Sequence, residues 1–215
     1  MTNPPMERSG NGPRLIIVCG LPGSGKTTHA RLLEARLGAI RFSPDEWMEA
    51  LSLDLYDEGR REKIEALQWK FGQKLLAHGL TVIIEWGTWG RSERDTLRLG
   101  ARALGAAVEL HYLSAPVDVL LDRIQRRGME NPRIERDQLL RWVEIFQVPT
   151  PEEMALFDKC STLGSLICGQ SNLQLNFSNS LRSQRRHRIN RERSPERHPA
   201  RERQVKTFRP HETGD

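Results

Sequence analysis

Short apolar runs alternate along this chain with longer stretches that repeat at helical spacing. Leu15-Ile16-Ile17-Val18-Cys19 is unbroken apolar sequence ending at Gly20. A strand covered on both faces of a parallel sheet needs such a run. From Thr27 to Leu37, residues Ala30, Leu33 and Leu37 share one face and Gly38 follows, which predicts a helix with a glycine stop. Ile40-Arg41-Phe42 predicts a short second strand, opening through Ser43-Pro44-Asp45 into a helix that starts at Glu46. Arg60 to His78 carries a stripe of Ile64, Leu67, Phe71 and Leu75 and is stopped by Gly79. Thr81-Val82-Ile83-Ile84-Glu85 predicts the third strand. Ser92, with Asp95 three residues on, predicts a capping box for a helix reaching Leu104. Val108 to Leu113 predicts the next strand, and Pro116 suits the first turn of a helix running through Leu120 and Ile124 to Arg127. A polar stretch, Gly128 to Arg136, separates it from a helix over Leu139 to Phe146. Pro149-Thr150-Pro151-Glu152-Glu153 begins a last short one.

Strand–helix alternation of this kind predicts an α/β fold, a doubly wound parallel sheet. The pattern runs from residue 14 to Asp158, so 14–158 reads as one domain behind a loose N-terminus over 1–13. The segment 159–215 is rich in Ser, Asn, Gln and Arg and too poor in apolar residues to fold alone, so it reads as a disordered tail. Within it, Ser165-Leu166-Ile167-Cys168 is the place for an added edge strand.

Charge sharpens that division. The chain has a formal net charge of +5. The segment from Leu181 onward holds ten Arg and one Lys against four Glu and one Asp, so the positive balance belongs to the tail. Three cysteines, Cys19, Cys160 and Cys168, with no CxxC spacing, give neither a disulfide framework nor a zinc site. Cys19 reads as a small buried core residue. His29, His78 and His111 show no metal-ligand spacing with Cys or with each other. No apolar run is long enough for a bilayer, and Met1 to Arg14 lacks the apolar centre of a secretory signal, so a cytoplasmic protein is expected.

The most informative segment is Gly20-Leu21-Pro22-Gly23-Ser24-Gly25-Lys26-Thr27, followed by Thr28. It matches the phosphate-binding loop G-x-x-x-x-G-K-[ST], and it lies between an apolar strand and a helix, as that loop must. Glycines let backbone N–H groups curl around a polyphosphate, and the helix N-terminus adds partial positive charge. In such loops the lysine reaches the outer phosphates and the hydroxyl of Thr27 serves Mg²⁺. A nucleotide with Mg²⁺ is therefore expected. No DxxG or NKxD is present, which removes the GTPase elements and leaves ATP as the expected nucleotide. The size suits a small kinase rather than a motor or helicase.

GLPGSGKTT, FSPDE, VIIEWGTWGRSERD, LDRIQRRG and PTPEE together resemble a family of AAA-domain P-loop kinases similar to zeta toxins, chloramphenicol phosphotransferase and gluconate kinase. The resemblance covers about residues 14–158. It implies a five-stranded parallel core with a small lid, ATP as donor and a hydroxyl as acceptor. It gives Asp45, just past the second strand, the part of the carboxylate that accepts the acceptor's hydroxyl proton; N-terminal helix charge is the plainer account of the same residue. Glu85, ending the third strand, either holds Mg²⁺ through water or holds the acceptor, unless it is simply solvated. Arg123 and Arg127 share a helix face at i, i+4. In similar kinases the first covers the adenine and the second clamps phosphates, whereas a solvated basic helix end would look the same. Arg133, with Arg136, lies in the polar stretch that would be the lid. Trp86, Trp89, Arg91 and Arg94 are candidates for an acceptor pocket, with core packing for one Trp, or pairing of Arg94 with Glu109 or another acid, as the alternative.

The expected activity is transfer of the ATP γ-phosphate to a hydroxyl of a small molecule. Two other readings stay open: an enzyme acting on RNA or polynucleotide ends whose basic tail gives nonspecific, salt-sensitive attraction to nucleic acid, and a nucleotide-dependent regulator whose tail docks a partner. The abrupt change of composition leaves a functional tail and a spurious extension both open.

Overall fold

The computed structural model describes residues 12–128 and 133–158. Within them lie four strands: β1 (Arg14–Cys19), β2 (Ile40–Phe42), β3 (Thr81–Gly87) and β4 (Ala107–Tyr112). Seven helices complete the order: α1 (Lys26–Leu37), α2 (Pro44–Ala50), α3 (Glu58–Ala77), α4 (Arg91–Ala103), α5 (Val117–Arg127), α6 (Arg136–Ile145) and α7 (Pro151–Met154).

All strand pairs are parallel, and the sheet order is β2-β3-β1-β4. Every residue of β1 is buried, as expected for a central strand with helices on both faces. The expected parallel α/β sheet is present, but with four strands among the described residues rather than five. The segment Ser165–Cys168, read as an added edge, lies outside them. One core fills the face where Leu15, Ile17 and Cys19 meet Val82, Ile84, Val108 and Leu110, with Trp69, Leu97 and Phe157 from the covering segments. A smaller cluster joins Leu120, Ile124, Ile134 and Leu139 of the α5–α6 side. No helix among the described residues is long and apolar enough to cross a membrane.

Several elements depart from the sequence pattern. α2 begins at Pro44, two residues ahead of the expected start, because proline's fixed φ suits a first helical turn. α4 is not capped by Ser92. Gly90 holds the N-cap position, and Glu93 reaches back to its amide at 3.4 Å. The buried face of α3 is Arg61, Ile64, Gln68, Trp69, Gly72 and Leu76. Of the expected stripe Ile64 belongs to it and Leu75 packs against the core partly buried, while Leu67 and Phe71 stand 45% and 48% exposed. Gly72 lies on the sheet side, where a Cβ would meet Phe42 at 3.5 Å and Val82 at 3.6 Å, ordinary packing distances.

Candidate functional site

β1 runs straight into the phosphate-binding loop, whose first two glycines are required by space as well as conformation. Gly20 has φ +146°, and a Cβ there would fall 2.2 Å from the Leu113 carbonyl oxygen. Gly23 has φ +79°, and its Cβ would meet the Leu120 carbonyl oxygen at 2.7 Å. Gly25, at the N-cap of α1, is left-handed and offers no side chain to cap the helix. The amides and partial charge of that helix end are thus left for a ligand. Lys26 Nζ donates to the Leu21 carbonyl at 3.0 Å, inside its own loop. Burial pushes the Lys26 ammonium down to about 8, against the pull of Glu85 and Asp45.

Glu85 reaches the loop from the end of β3. Its Oε1 accepts from the Thr27 hydroxyl and its Oε2 from Arg41 Nη1 at 3.0 Å. Burial raises the Glu85 pKa, while Thr27, Arg41 and Lys26 oppose that rise. A hydroxyl and a carboxylate meeting at the N-terminus of α1 are the hard oxygen donors that Mg²⁺ takes. Together with the crowded glycines and the uncapped helix end, they fit a magnesium-bound polyphosphate.

Arg41 was not singled out by sequence, yet it organises this corner. From β2 it donates to Glu34 at 2.9 Å, to both oxygens of Glu46 at 2.8 Å, and to Glu85. One guanidinium thereby ties α1, α2 and β3 together. Burial raises the Glu46 carboxyl, but the hydrogen bonds from Arg31 and Arg41 outweigh it and leave its pKa low. The only sequence signal was an arginine between two apolar residues of a strand.

Asp45 sits on α2 with its side chain 63% exposed. Its Oδ1 accepts from Nη2 of Arg61, a residue of α3 that also donates to the Leu55 carbonyl at 3.2 Å. Arg61 is 9% exposed and likewise went unnoticed in sequence.

The arginines of α5 divide. Arg123 Nη1 donates to the Gly23 carbonyl at 3.2 Å, so it reaches the phosphate-binding loop itself. Arg127 lies close enough that its charge helps to lower the Lys26 pKa. Arg133 is exposed ahead of α6, and residues 129–132 of the expected lid lie outside the described residues.

The WGTWGRSERD segment is less of a pocket than its composition suggested. Arg94 is wholly buried. Its Nε donates to Glu153 Oε1 at 2.6 Å and its Nη2 to Glu153 Oε2 at 2.9 Å. The Thr88, Trp89 and Gln147 carbonyls take the remaining N–H groups. All five guanidinium donors are therefore spent internally. The alternative of an acid partner holds for Arg94, though the acid is Glu153 and not Glu109. Trp89 is a packing residue, edge-on to Trp142 and Phe146 with centroids 6.0 and 6.1 Å apart. Arg91 is exposed and pairs with Asp95 at 3.4 Å. Trp86 is half-buried, and its indole N–H has no hydrogen-bond partner among the described residues.

Cys19 is buried, and desolvation pushes its thiol up to about 12, in keeping with a packing role. His29 of α1 and His111 of β4, unrelated by sequence spacing, meet at 2.8 Å. Glu109 accepts from His111 Nε2 at 3.1 Å and also pairs with Arg14. Burial, then His111, lowers His29 to about 4.

A family model described as an AAA domain matches residues 15–149. An uncharacterized protein of Mycobacterium tuberculosis is 34% identical over 133 residues, which are 55% of this chain and 26% of that protein. The chain thus spans about a quarter of the curated relatives it matches. Among solved structures, the Pnkp1/Rnl/Hen1 RNA repair complex is similar at a TM-score of 0.55 and 24% identity, covering 71% of this chain and 48% of that one. Kti12 of Chaetomium thermophilum, solved in complex with ADP-AlF3, is similar at a TM-score of 0.50 and 22% identity, covering 64% and 82%. These likenesses bear out the P-loop fold, and with the matched family model spanning well over half of its length, this chain belongs to the AAA-domain family.

Proposed function

We propose that this protein is an ATP-dependent kinase that phosphorylates a hydroxyl of a small molecule. One observation carries the proposal: Lys26, Thr27, Glu85 and Asp45 converge at one end of the parallel sheet, with Lys26 inside the fields of both carboxylates. A phosphate-binding loop facing a second, exposed carboxylate is the arrangement in-line transfer to a hydroxyl needs.

Thr27 and Glu85 would hold Mg²⁺, and ATP when bound supplies the transferable phosphoryl group. Lys26 leaves the Leu21 carbonyl and neutralises charge on the outer phosphates. Asp45 accepts the proton of the acceptor hydroxyl on a carboxylate oxygen, which keeps that hydroxyl oriented and makes it a better nucleophile. Arg123 braces the loop at Gly23, and Arg127 and Arg133 clamp phosphate charge from the α5–α6 side. Arg41 keeps Glu85 turned toward Thr27.

The test is ATP turnover by the purified chain against pooled hydroxyl-bearing metabolites and antibiotics, with products identified by mass spectrometry. Lys26→Ala and Asp45→Asn should each lower phosphoryl transfer by at least about a hundredfold. Nucleotide binding by Asp45→Asn should stay near wild type. Transfer that survives Asp45→Asn would remove Asp45 from the chemistry. The ten tail arginines favour a polynucleotide 5′-hydroxyl as a second acceptor class, so one pool holds 5′-hydroxyl oligoribonucleotides.

A further inference from the structure

α2, the helix that carries Asp45, is poorly equipped to hold itself in place. It has seven residues, and the Ser43 side chain at its N-cap makes no capping bond to the helix amides. Helices shorter than about 12 residues are marginal on their own, so the order and position of α2 come from tertiary ties. Pro44 and Met48 are buried beneath it. The two acids of its first turn are tied to arginines of other elements. Asp45 accepts from Arg61 of α3. Glu46 accepts from Arg31 of α1 at 2.8 Å and, on both oxygens, from Arg41 Nη2 of β2 at 2.8 Å. The two ties on Glu46 differ in weight. Arg31 has a side chain 61% exposed, and such a pair contributes little. Arg41 has a side chain only 7% exposed, so its hold on Glu46 is far less screened.

The same guanidinium holds Glu85. Arg41 Nη1 donates to Glu85 Oε2 at 3.0 Å, while Glu85 Oε1 accepts from the Thr27 hydroxyl. Its Nε donates to Glu34 at 2.9 Å. A guanidinium is planar and rigid, so a shift of Nη1 with Glu85 also turns Nη2 against Glu46. Charge links the two acids as well. One buried cation serves three carboxylates, Glu34, Glu46 and Glu85. Once Glu85 shares its charge with a divalent cation beside Thr27, less of the Arg41 field is spent on Glu85 and more of it acts on Glu46. Glu46 is the residue next to Asp45.

We infer that Arg41 and Glu46 are positioning residues that couple the magnesium end of the site to α2. With a magnesium-bound nucleotide in place, Arg41 tightens on Glu46 and fixes the first turn of α2, and Asp45 with it. The helix bearing the candidate base is thereby ordered by the bound donor rather than by its own sequence. The part given to Asp45 rests on the kinase proposal, whereas the coupling itself needs only Thr27 and Glu85 beside the cation.

Amide hydrogen exchange over α2, read by mass spectrometry on the full chain, tests it. The chain is measured free and with a non-hydrolysable ATP analogue, in magnesium and in chelator. Exchange in wild-type α2 should slow by about five- to tenfold when analogue and magnesium are present together, and not in chelator. Glu46→Gln keeps the shape of a part-exposed side chain and loses its charge. It should remove that slowing and leave affinity for the magnesium-bound analogue within about twofold. Arg41→Lys replaces the fork by a point charge that cannot bridge Glu85 and Glu46 in one plane, so it too should lose most of the slowing. With the acceptor that the pools identify, Glu46→Gln should lower kcat about tenfold or more at an unchanged KM for ATP. A wild-type α2 that exchanges alike with and without magnesium-bound analogue overturns the coupling. So does a slowing retained in folded Glu46→Gln and Arg41→Lys chains, which is what a merely structural tie gives. A normal kcat in Glu46→Gln overturns the positioning of Asp45. Slowing that depends on Glu46, with no phosphoryl transfer to any pool, leaves the coupling standing and sinks the kinase proposal instead.

Discussion

Lys26 is where the protonation state of one residue matters most. Burial holds its pKa near 8 in the free protein, below the usual lysine value, despite Glu85 and Asp45. The unfolded chain therefore binds the proton more tightly, and this residue adds stability as pH rises through about 8 toward its unfolded value. A bound polyphosphate works the other way, because its charges raise the Lys26 pKa. Above pH 8, nucleotide binding should take up a proton, and affinity should fall by up to about tenfold per pH unit. Fluorescence titrations from pH 7 to 9.5, with calorimetry in two buffers of different ionisation enthalpy, check this. A flat affinity without proton uptake would refute it, and Lys26→Arg should abolish the dependence. The loop around Lys26 was legible in sequence because its chemistry is contiguous: strand, glycines, lysine, hydroxyl and helix follow in nine residues. Arg41 and Arg61 were not, because their value comes from partners on other elements.

At the scale of elements, two of the motifs behind the family resemblance hold each other. Arg94 of α4, in WGTWGRSERD, and Glu153 of α7, in PTPEE, form a buried two-oxygen pair. Gln147 fastens the same seam, its amide donating to the Trp89 carbonyl at 3.0 Å and its side chain accepting from Arg91 N at 2.8 Å. Removing one partner of such a pair strands the other charge in the core, at a cost of about 3–5 kcal/mol. Arg94→Ala and Glu153→Gln should each lower stability by about that much in denaturant melts. The double variant should cost clearly less than the sum, as expected for groups in contact. Losses under about 1 kcal/mol would mean that the pair is dispensable. The face of α3 was misjudged for a related reason. The stripe was read from hydrophobicity alone, whereas the docked face also carries Arg61, Gln68 and Gly72. Phe71 is left outside, with Lys74 lying over its ring at 5.9 Å.

At the scale of the whole molecule, four parallel strands bring the ends of β1, β2 and β3 to one edge, and with them the phosphate-binding loop, Asp45 and Glu85. Among the described residues, every group of that site comes from before Asp158. A chain ending at residue 160 should therefore fold and bind nucleotide within about twofold of the full chain. Any affinity for RNA should depend steeply on salt in the full chain and vanish in the short one. Loss of nucleotide binding on truncation would show that the tail completes the domain.

Sequence alone determined what depends on neighbours in the chain: the alternation that makes a parallel α/β sheet, the phosphate-binding loop with its threonine hydroxyl, and the concentration of positive charge after Leu181. Those properties need only period, composition and local backbone geometry. Tertiary structure alone decided which polar residues are spent and which are left over. Arg94 looked like a ligand group and proved to be fully satisfied inside the protein. Arg61 looked like one more charge on a helix and proved to be buried beside the candidate base. A guanidinium's role is set by the acceptors within about 3 Å of it, and in a fold these come from segments dozens of residues away.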